Sequence, residues 1–269
     1  MQKQFQFYIV PTPIGNLDDV TLRSLDILKN VDIIACEDSR VTQNLLNHYD
    51  IKTKLISYHK YNEKSRVDEI LGYIKEGKTV ALVSDAGTPM ICDPGNVLIT
   101  ELRKNNVAIT SLAGPCAIST FLSQVPRCSE YFTFVGFFPK TLQTAQELLL
   151  KYIDTNLVFY ESPNRIIETL ELVKAQRGEV KVALGRELTK LFEEVVIDDV
   201  SNVIEYFKDG IKGEIVCMIY PSQNSDIIDA KSKIEILKQK GFKSKEIATI
   251  LSSLYDMNKN EVYKLTMTN

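Results

Sequence analysis

Charged and small residues gather at the ends of apolar runs along this chain, and they define the chemistry open to it. The centre of the pattern is residues 80–95, VALVSDAGTPMICDPG. Its first four residues read as a strand buried on both faces. Ser84 and Asp85 end that run, and Ala86, Gly87, Thr88 and Pro89 follow, so a ligand can approach backbone beside a carboxylate. A second run, VDIIA, leads into Cys36-Glu37-Asp38-Ser39-Arg40, which is either a site or a helix cap with a surface ion pair. A third, KLIS, leads into Tyr58-His59-Lys60-Tyr61, and residues 5–10 lead into Pro11-Thr12-Pro13-Ile14-Gly15. Ala113-Gly114-Pro115-Cys116-Ala117 opens a helix with small residues. Farther on, Glu161-Ser162-Pro163-Asn164-Arg165 and Gly185-Arg186-Glu187-Leu188-Thr189-Lys190 end two more runs. Each loop alone also suits a plain turn. Carboxylates, one histidine and arginines, with no G-x-S-x-G serine, suit a reaction in which a cofactor carries the reactive group.

Strands and helices must alternate to place those loops. Apolar runs at 5–10, 31–35, 54–57, 80–83 and 107–112 predict the strands of a first α/β domain, residues 1–124. Asp18 or Asp19 is the predicted cap of a helix with Leu22, Leu25 and Leu28 on one stripe. A second domain, 125–221, is richer in aromatic and β-branched residues. Its strands at 132–138, 156–160, 181–184, 194–197 and 215–220 are expected to run in mixed directions. A polar linker at 222–226 leads to a small helical appendage, the whole tail being 222–269. Residues 223–269 hold eight lysines against six acids, +2 in a chain whose formal charge is −3. The tail reads as a short helix set that rests on a nucleic-acid backbone, or as a solvated lysine face over apolar residues Ile234, Leu237, Ile247, Leu251 and Leu254 that cap the second domain.

Composition narrows the classes. With 44% hydrophobic and 25% charged residues the chain is of ordinary globular type. No apolar run approaches the roughly 20 residues of a membrane span, and the N-terminal residues lack a signal-peptide pattern. Five cysteines without a CxxC pair, and only His48 and His59, supply no zinc or iron–sulfur ligand set; the thiols fit a reducing, cytoplasmic setting. Residues 72–79, GYIKEGKT, match the written P-loop pattern. They run from a helix into a strand, however, the reverse of the strand-to-helix order that wraps phosphate, so Gly77 reads as a helix terminator.

Several segments together resemble the tetrapyrrole methylase superfamily: YIVPTPIGNLDDVTLR (8–23), ACEDSR (35–40), LVSDAGTPMICDPG (82–95), AGPCA (113–117), FVGFFP (134–139), FYESPNR (159–165), GRELTK (185–190) and KGEIV (212–216). More narrowly, they are similar to its bacterial branch that methylates the ribose 2′-oxygen of a cytidine in the decoding region of 16S rRNA. The likeness runs in order over nearly the whole chain. Small departures are Ser111-Leu112 before Ala113-Gly114-Pro115 where P-x-P is expected, Gly185 where alanine is common, and Cys92 where asparagine is usual.

The resemblance implies two α/β domains of tetrapyrrole-methylase type with a cofactor cleft between them, a homodimer, and S-adenosyl-L-methionine as cofactor. It assigns cofactor contacts to Pro13, Ile14, Gly15, Asp85, Ala86, Gly87, Thr88, Gly114, Pro115, Cys116 and Ala117, with Tyr160, Arg186 and Gly213 from later segments. Glu37, Asp38 and His59 are then candidates for the base or for ribose positioning, and Arg40 and Arg165 for holding phosphate. The RNA partner is expected within the small ribosomal subunit. Two other functions stay open: methylation of a small tetrapyrrole, and non-catalytic RNA binding on the ribosome.

Overall fold

The computed structural model describes residues 5–222, 225–255 and 257–267. The chain forms two compact units. One comprises the chain up to Gln124 together with Gly185–Glu194, and the other comprises Val125–Leu184 and the chain from Val195 onward.

Five short strands build the first unit: β1 (Phe7–Ile9), β2 (Ile33–Cys36), β3 (Lys54–Ser57), β4 (Val80–Val83) and β5 (Ile109–Ser111). They pair in the order β3-β2-β4-β1-β5, every pairing parallel. Period-two alternation divides their side chains between the faces. Val80 and Leu82 join Ile33 and Ala35 against α3 (Glu63–Lys75) and α4 (Asn96–Lys104). Ala81 and Val83 join Ile34 and Cys36 against α1 (Leu22–Asn30) and α2 (Ser39–His48). The chain therefore leaves β1 and β2 toward one face, and leaves β4, which lies between them, toward the other. That divergence opens a crevice at the carboxyl end of β4, where open α/β sheets bind ligands.

Two local readings need correction. Asp18 and Asp19 do not cap α1; they lie in a 3-10 turn, Leu17–Asp19, and Thr21 is the cap, its Oγ1 accepting from the Ser24 N–H at 3.0 Å. Leu22, at 86% exposure, faces outward, and Leu28 carries the inward stripe.

The second unit has strands β6 (Phe132–Phe137), β7 (Asn156–Glu161), β8 (Lys181–Arg186), β9 (Glu194–Asp199) and β10 (Ile215–Ile219), ordered β6-β7-β10-β8-β9. β6 runs parallel and β10 antiparallel to β7, the mixed sheet expected. One face packs against α6 (Leu142–Lys151), α7 (Ile166–Arg177) and α8 (Val200–Tyr206). A short helix, α5 (Ala117–Leu122), closes the first unit before this sheet begins.

Of the predicted linker, Gln223 and Asn224 lie outside the described residues, and helix already begins at Ser225. The tail is three helices, α9 (Ser225–Gln239), α10 (Ser244–Tyr255) and α11 (Lys259–Met267). Ile234, Ile247, Ala248, Leu251 and Val262 bury one another in a cluster of their own. Leu254 stays 70% exposed. The apolar stripe thus folds the tail on itself. Among the described residues no helix is long and apolar enough to cross a membrane.

Candidate active site

Hydrogen bonds between loops, more than any single loop, create the site at the carboxyl edge of the first sheet. Thr12 and Gly87 exchange backbone bonds of 2.9 and 3.0 Å. The buried Thr12 hydroxyl donates to the Ser84 carbonyl at 3.1 Å, and the Thr88 hydroxyl donates to the Pro115 carbonyl at 2.8 Å. The Asp38 N–H donates to Asp85 Oδ1 at 2.9 Å. The loops after β1, β2, β4 and β5 are thereby tied into one rim. This brings together Pro13, Ile14, Gly15, Asp85, Ala86, Gly87, Thr88, Gly114, Pro115, Cys116 and Ala117.

Close approach explains two glycines. Gly87 has φ +76°, and a Cβ there would lie 3.2 Å from Ile14 Cγ2. Gly114 has a different reason from the one its sequence suggests: a Cβ would meet the Pro11 ring at 2.6 Å, so Pro11, not open space for a ligand, fills the missing side chain's volume. Segment Gly185–Glu194 belongs to the same unit. Its Leu188 carbonyl and Lys190 side chain close over Gly15. A Cβ on Gly185 would meet the buried ring of Phe121 at 2.7 Å, which accounts for glycine where alanine is common. Glu187 and Thr189 both hold positive φ, 50° and 65°, strained for side chains that carry a Cβ. Arg186 Nε donates to Glu194 Oε2 at 2.6 Å. Tyr160, on β7, and Gly213, with φ +95° before β10, stand in the second unit.

Charge separates the proposed catalytic residues. Glu37 is raised above the ordinary carboxyl value by burial and by the neighbouring charges of Asp85 and Asp93, with His59 opposing. Asp93 is raised by burial and by Asp85, against a hydrogen bond from Ser84. Asp93 is not among the residues singled out from the sequence, since Asp93-Pro94-Gly95 has the composition of a plain turn. The signal was present in the acid's position after an apolar strand and a small-residue loop. Among the described residues no metal-binding group of this kind forms, so the acids gather charge without making a chelate.

Asp38 behaves oppositely. It caps α2, accepts from the Arg40 N–H at 2.9 Å, and pairs with the guanidinium through Nε at 3.1 Å and Nη2 at 2.6 Å. Those bonds hold its carboxyl down at about 2. Asp38 is a weak proton acceptor, and Glu37 is the stronger one. The Arg40 side chain is 88% exposed and can still meet an anion. His59 leaves Nδ1 buried without a hydrogen bond, while Nε2 lies 3.4 Å from Asn62 Nδ2.

Arg165 is not available to phosphate in this way. Its Nη1 reaches Glu161 at 3.3 Å and its Nη2 donates to the Pro139 carbonyl at 2.9 Å. Glu161 is buried and also accepts from the Ser162 N–H and the Thr169 hydroxyl.

Residues 6–204 match the family model of Tetrapyrrole (Corrin/Porphyrin) Methylases. The chain belongs to that family. It is 37% identical to the ribosomal RNA small subunit methyltransferase I of Vibrio cholerae, across 97% of this chain and 94% of the relative. A protein of the same name from a Hydrogenobaculum species is 44% identical across 80% of this chain and 95% of itself. Among solved structures, that of diphthine synthase superposes with a TM-score of 0.64 over 80% of this chain and 89% of its own, at 13% identity, a likeness of fold. Within the family's fold, the bonded rim and its acids are what this chain presents at the end of β4.

Proposed function

We propose that the chain transfers a methyl group from S-adenosyl-L-methionine to the ribose 2′-oxygen of a cytidine in the decoding region of 16S rRNA, within the small ribosomal subunit. The cytoplasm is the compartment, and the working form is a homodimer. The carrying observation is the grouping of Glu37, Asp85 and Asp93 beside tightly bonded small-residue loops, in a chain alike over nearly its full length to proteins named for small-subunit RNA methylation.

The rim fits the cofactor's chemistry. Three acids that repel one another are stabilised by a cation, and small loops admit a ligand close to backbone. When bound, S-adenosyl-L-methionine supplies an electrophilic methyl group on a positively charged sulfur. Pro13, Ile14, Gly15, Ala86, Gly87, Thr88, Pro115, Cys116 and Ala117 hold it through backbone and small side chains, and Gly114 keeps the rim closed against Pro11. Asp85 uses one oxygen to fix the β2 loop and keeps the other for an ammonium donor. Tyr160, Arg186 and Gly213 are contacts assigned by position in the family.

A ribose hydroxyl is a poor nucleophile, so orientation carries most of the acceleration. Glu37 accepts its proton as the new bond forms, since a raised carboxyl is the better acceptor. Asp38 positions Arg40, whose exposed guanidinium meets phosphate and fixes register. His59 lines the ribose side. The self-folded, lysine-rich tail adds affinity for the RNA backbone.

Mapping ribose methylation in small-subunit RNA from cells with and without the gene tests the reading. Loss of methylation at one decoding-region cytidine is expected. An unchanged map, or label from the purified protein appearing on a tetrapyrrole and not on RNA, would overturn it.

A further inference from the structure

The loop after β3 carries a Tyr61 that is 94% exposed, between Lys60 and Lys64, both exposed. Elsewhere on this unit Lys78 meets Glu76 and Lys104 meets Glu101. Neither Lys60 nor Lys64 makes an ion pair among the described residues. Together with Asn62, Ser65 and Val97 they border an open concavity of about 360 Å³.

The loop is held firmly. The Asn62 carboxamide accepts from the His59 N–H at 2.8 Å and donates to the Ser57 carbonyl at 3.1 Å, while the Asn62 N–H donates to the His59 carbonyl at 2.9 Å. Glu63 is turned inward, its Oε1 accepting from the Tyr58 hydroxyl at 2.7 Å and from the Gly95 N–H at 3.1 Å. The one carboxylate in the loop is therefore occupied, and the outward face is an aromatic ring flanked by cations. Such a surface is complementary to single-stranded nucleic acid, in which bases stack on exposed rings and phosphates meet lysines. Its location agrees, because at its root the Tyr58 N–H donates at 2.7 Å to the carbonyl of Cys36, the residue before Glu37.

We infer that Tyr61, Lys60 and Lys64 form an RNA-gripping surface beside the site, Tyr61 stacking on an unpaired base and the lysines holding adjoining phosphates. The inference rests on the rRNA reading above and adds to it the contact that seats the strand.

Small subunits from cells lacking the gene are the probe, with the full chain and its variants. Tyr61→Ala raises KM on the order of tenfold, the scale of one lost base stack, and Tyr61→Phe stays within about twofold because the ring remains. Lys60→Ala with Lys64→Ala raises KM and flattens the slope of log KM against log salt by about 1.4, two phosphate contacts on a single strand. Lys29→Ala with Lys75→Ala, two exposed lysines at the opposite edge of the sheet, leaves that slope unchanged. S-adenosyl-L-methionine affinity, measured by calorimetry, holds at the parent value in every variant. Photocrosslinks from p-benzoylphenylalanine placed at position 61 fall on RNA.

If the parent labels subunits and the loop variants keep its KM and salt slope, the gripping surface is wrong while the rRNA reading stands. Crosslinks to ribosomal protein alone, or loss of cofactor affinity in the variants, also overturn it. A parent that labels no RNA overturns the rRNA reading and the inference with it.

Discussion

Glu37 and Glu161 stand in like positions in the two units, each at the end of a buried apolar strand with an arginine three or four residues on. Their surroundings differ in one decisive respect. Arg165 turns back to Glu161, which also receives the Ser162 N–H and the Thr169 hydroxyl, so that acid is buried and satisfied by its own neighbours. Arg40 turns to Asp38, and Glu37 is left among Asp85, Asp93 and His59. An acid satisfied from within builds the fold. One left beside like charges is available to a substrate.

The largest effect that sharpens this contrast belongs to the second unit. Glu161→Ala leaves the buried Thr169 hydroxyl without its acceptor and takes the acid from half-buried Arg165, a loss of about 3 kcal/mol, the low end for a broken buried pair. Denaturant unfolding should show that loss. A variant as stable as the parent would show that the network does not hold β7 to α7.

Glu37→Gln should act on rate and not on fold. General-base catalysis contributes about 10²–10⁴-fold, so kcat should fall by at least about 10² with no loss of stability to unfolding. The pH dependence has a defined sign. Glu37 titrates above its ordinary 4.5, so its anion is disfavoured in the folded chain and stability falls as pH rises from 4.5 through the raised value. Activity rises over the same window, as the base forms. Glu37→Gln should remove both the stability loss and this acid limb of kcat. An acid limb that survives in Glu37→Gln assigns the base elsewhere.

A smaller effect is expected one residue along. Asp38→Ala and Arg40→Ala should each lower methyl transfer by about tenfold, roughly 1.4 kcal/mol, with S-adenosyl-L-methionine still bound. Asp38→Ser retains a capping oxygen for α2 but not the charge that holds Arg40. If Asp38→Ser turns over at the parent rate, the residue is a cap and no more; full turnover by both alanine variants removes the loop from the mechanism.

These cases show what sequence can reveal. Apolar runs such as VALV and VDIIA marked the strands, because burial on both faces demands unbroken hydrophobicity. Loop composition marked the rim for a related reason, as backbone near a ligand favours small residues. Partners drawn from distant segments did not show. Asp38 meets Asp85 across 47 residues, and Pro11 fills the space beside Gly114. Arg40 and Arg165 looked equivalent in the chain, yet one is exposed and the other is bound at both ends of its guanidinium. Capping by Thr21 in place of Asp18 or Asp19 depended on a 3-10 turn that periodicity does not announce. The tail's apolar stripe fitted packing on the second unit as well as packing on itself, and only the fold distinguishes them.

The smallest expected effect carries the comparison to the opposite edge of the first sheet, where a motif matches in letters but not in geometry. Gly72 lies inside α3, and a Cβ added there meets nothing within 4 Å. Gly77, with φ +84°, follows the end of that helix, and its conformation is what terminates it. Lys78 pairs with Glu76 at 2.7 Å and lies over the Tyr73 ring at 5.0 Å. The residues of a phosphate loop are present, but they approach β4 from its amino end, and their N–H groups are spent on the Ile74 and Tyr73 carbonyls and on Asp32. Gly72→Ala should therefore stabilise the chain by about 0.5–1 kcal/mol, the helix-propensity difference between the two residues. Lys78→Ala should leave S-adenosyl-L-methionine affinity and turnover at parent values. A true phosphate loop would respond in the reverse sense, losing nucleotide binding in both variants. ATP binding by the parent, lost on either substitution, would establish that second site and end the distinction between the two edges of the sheet.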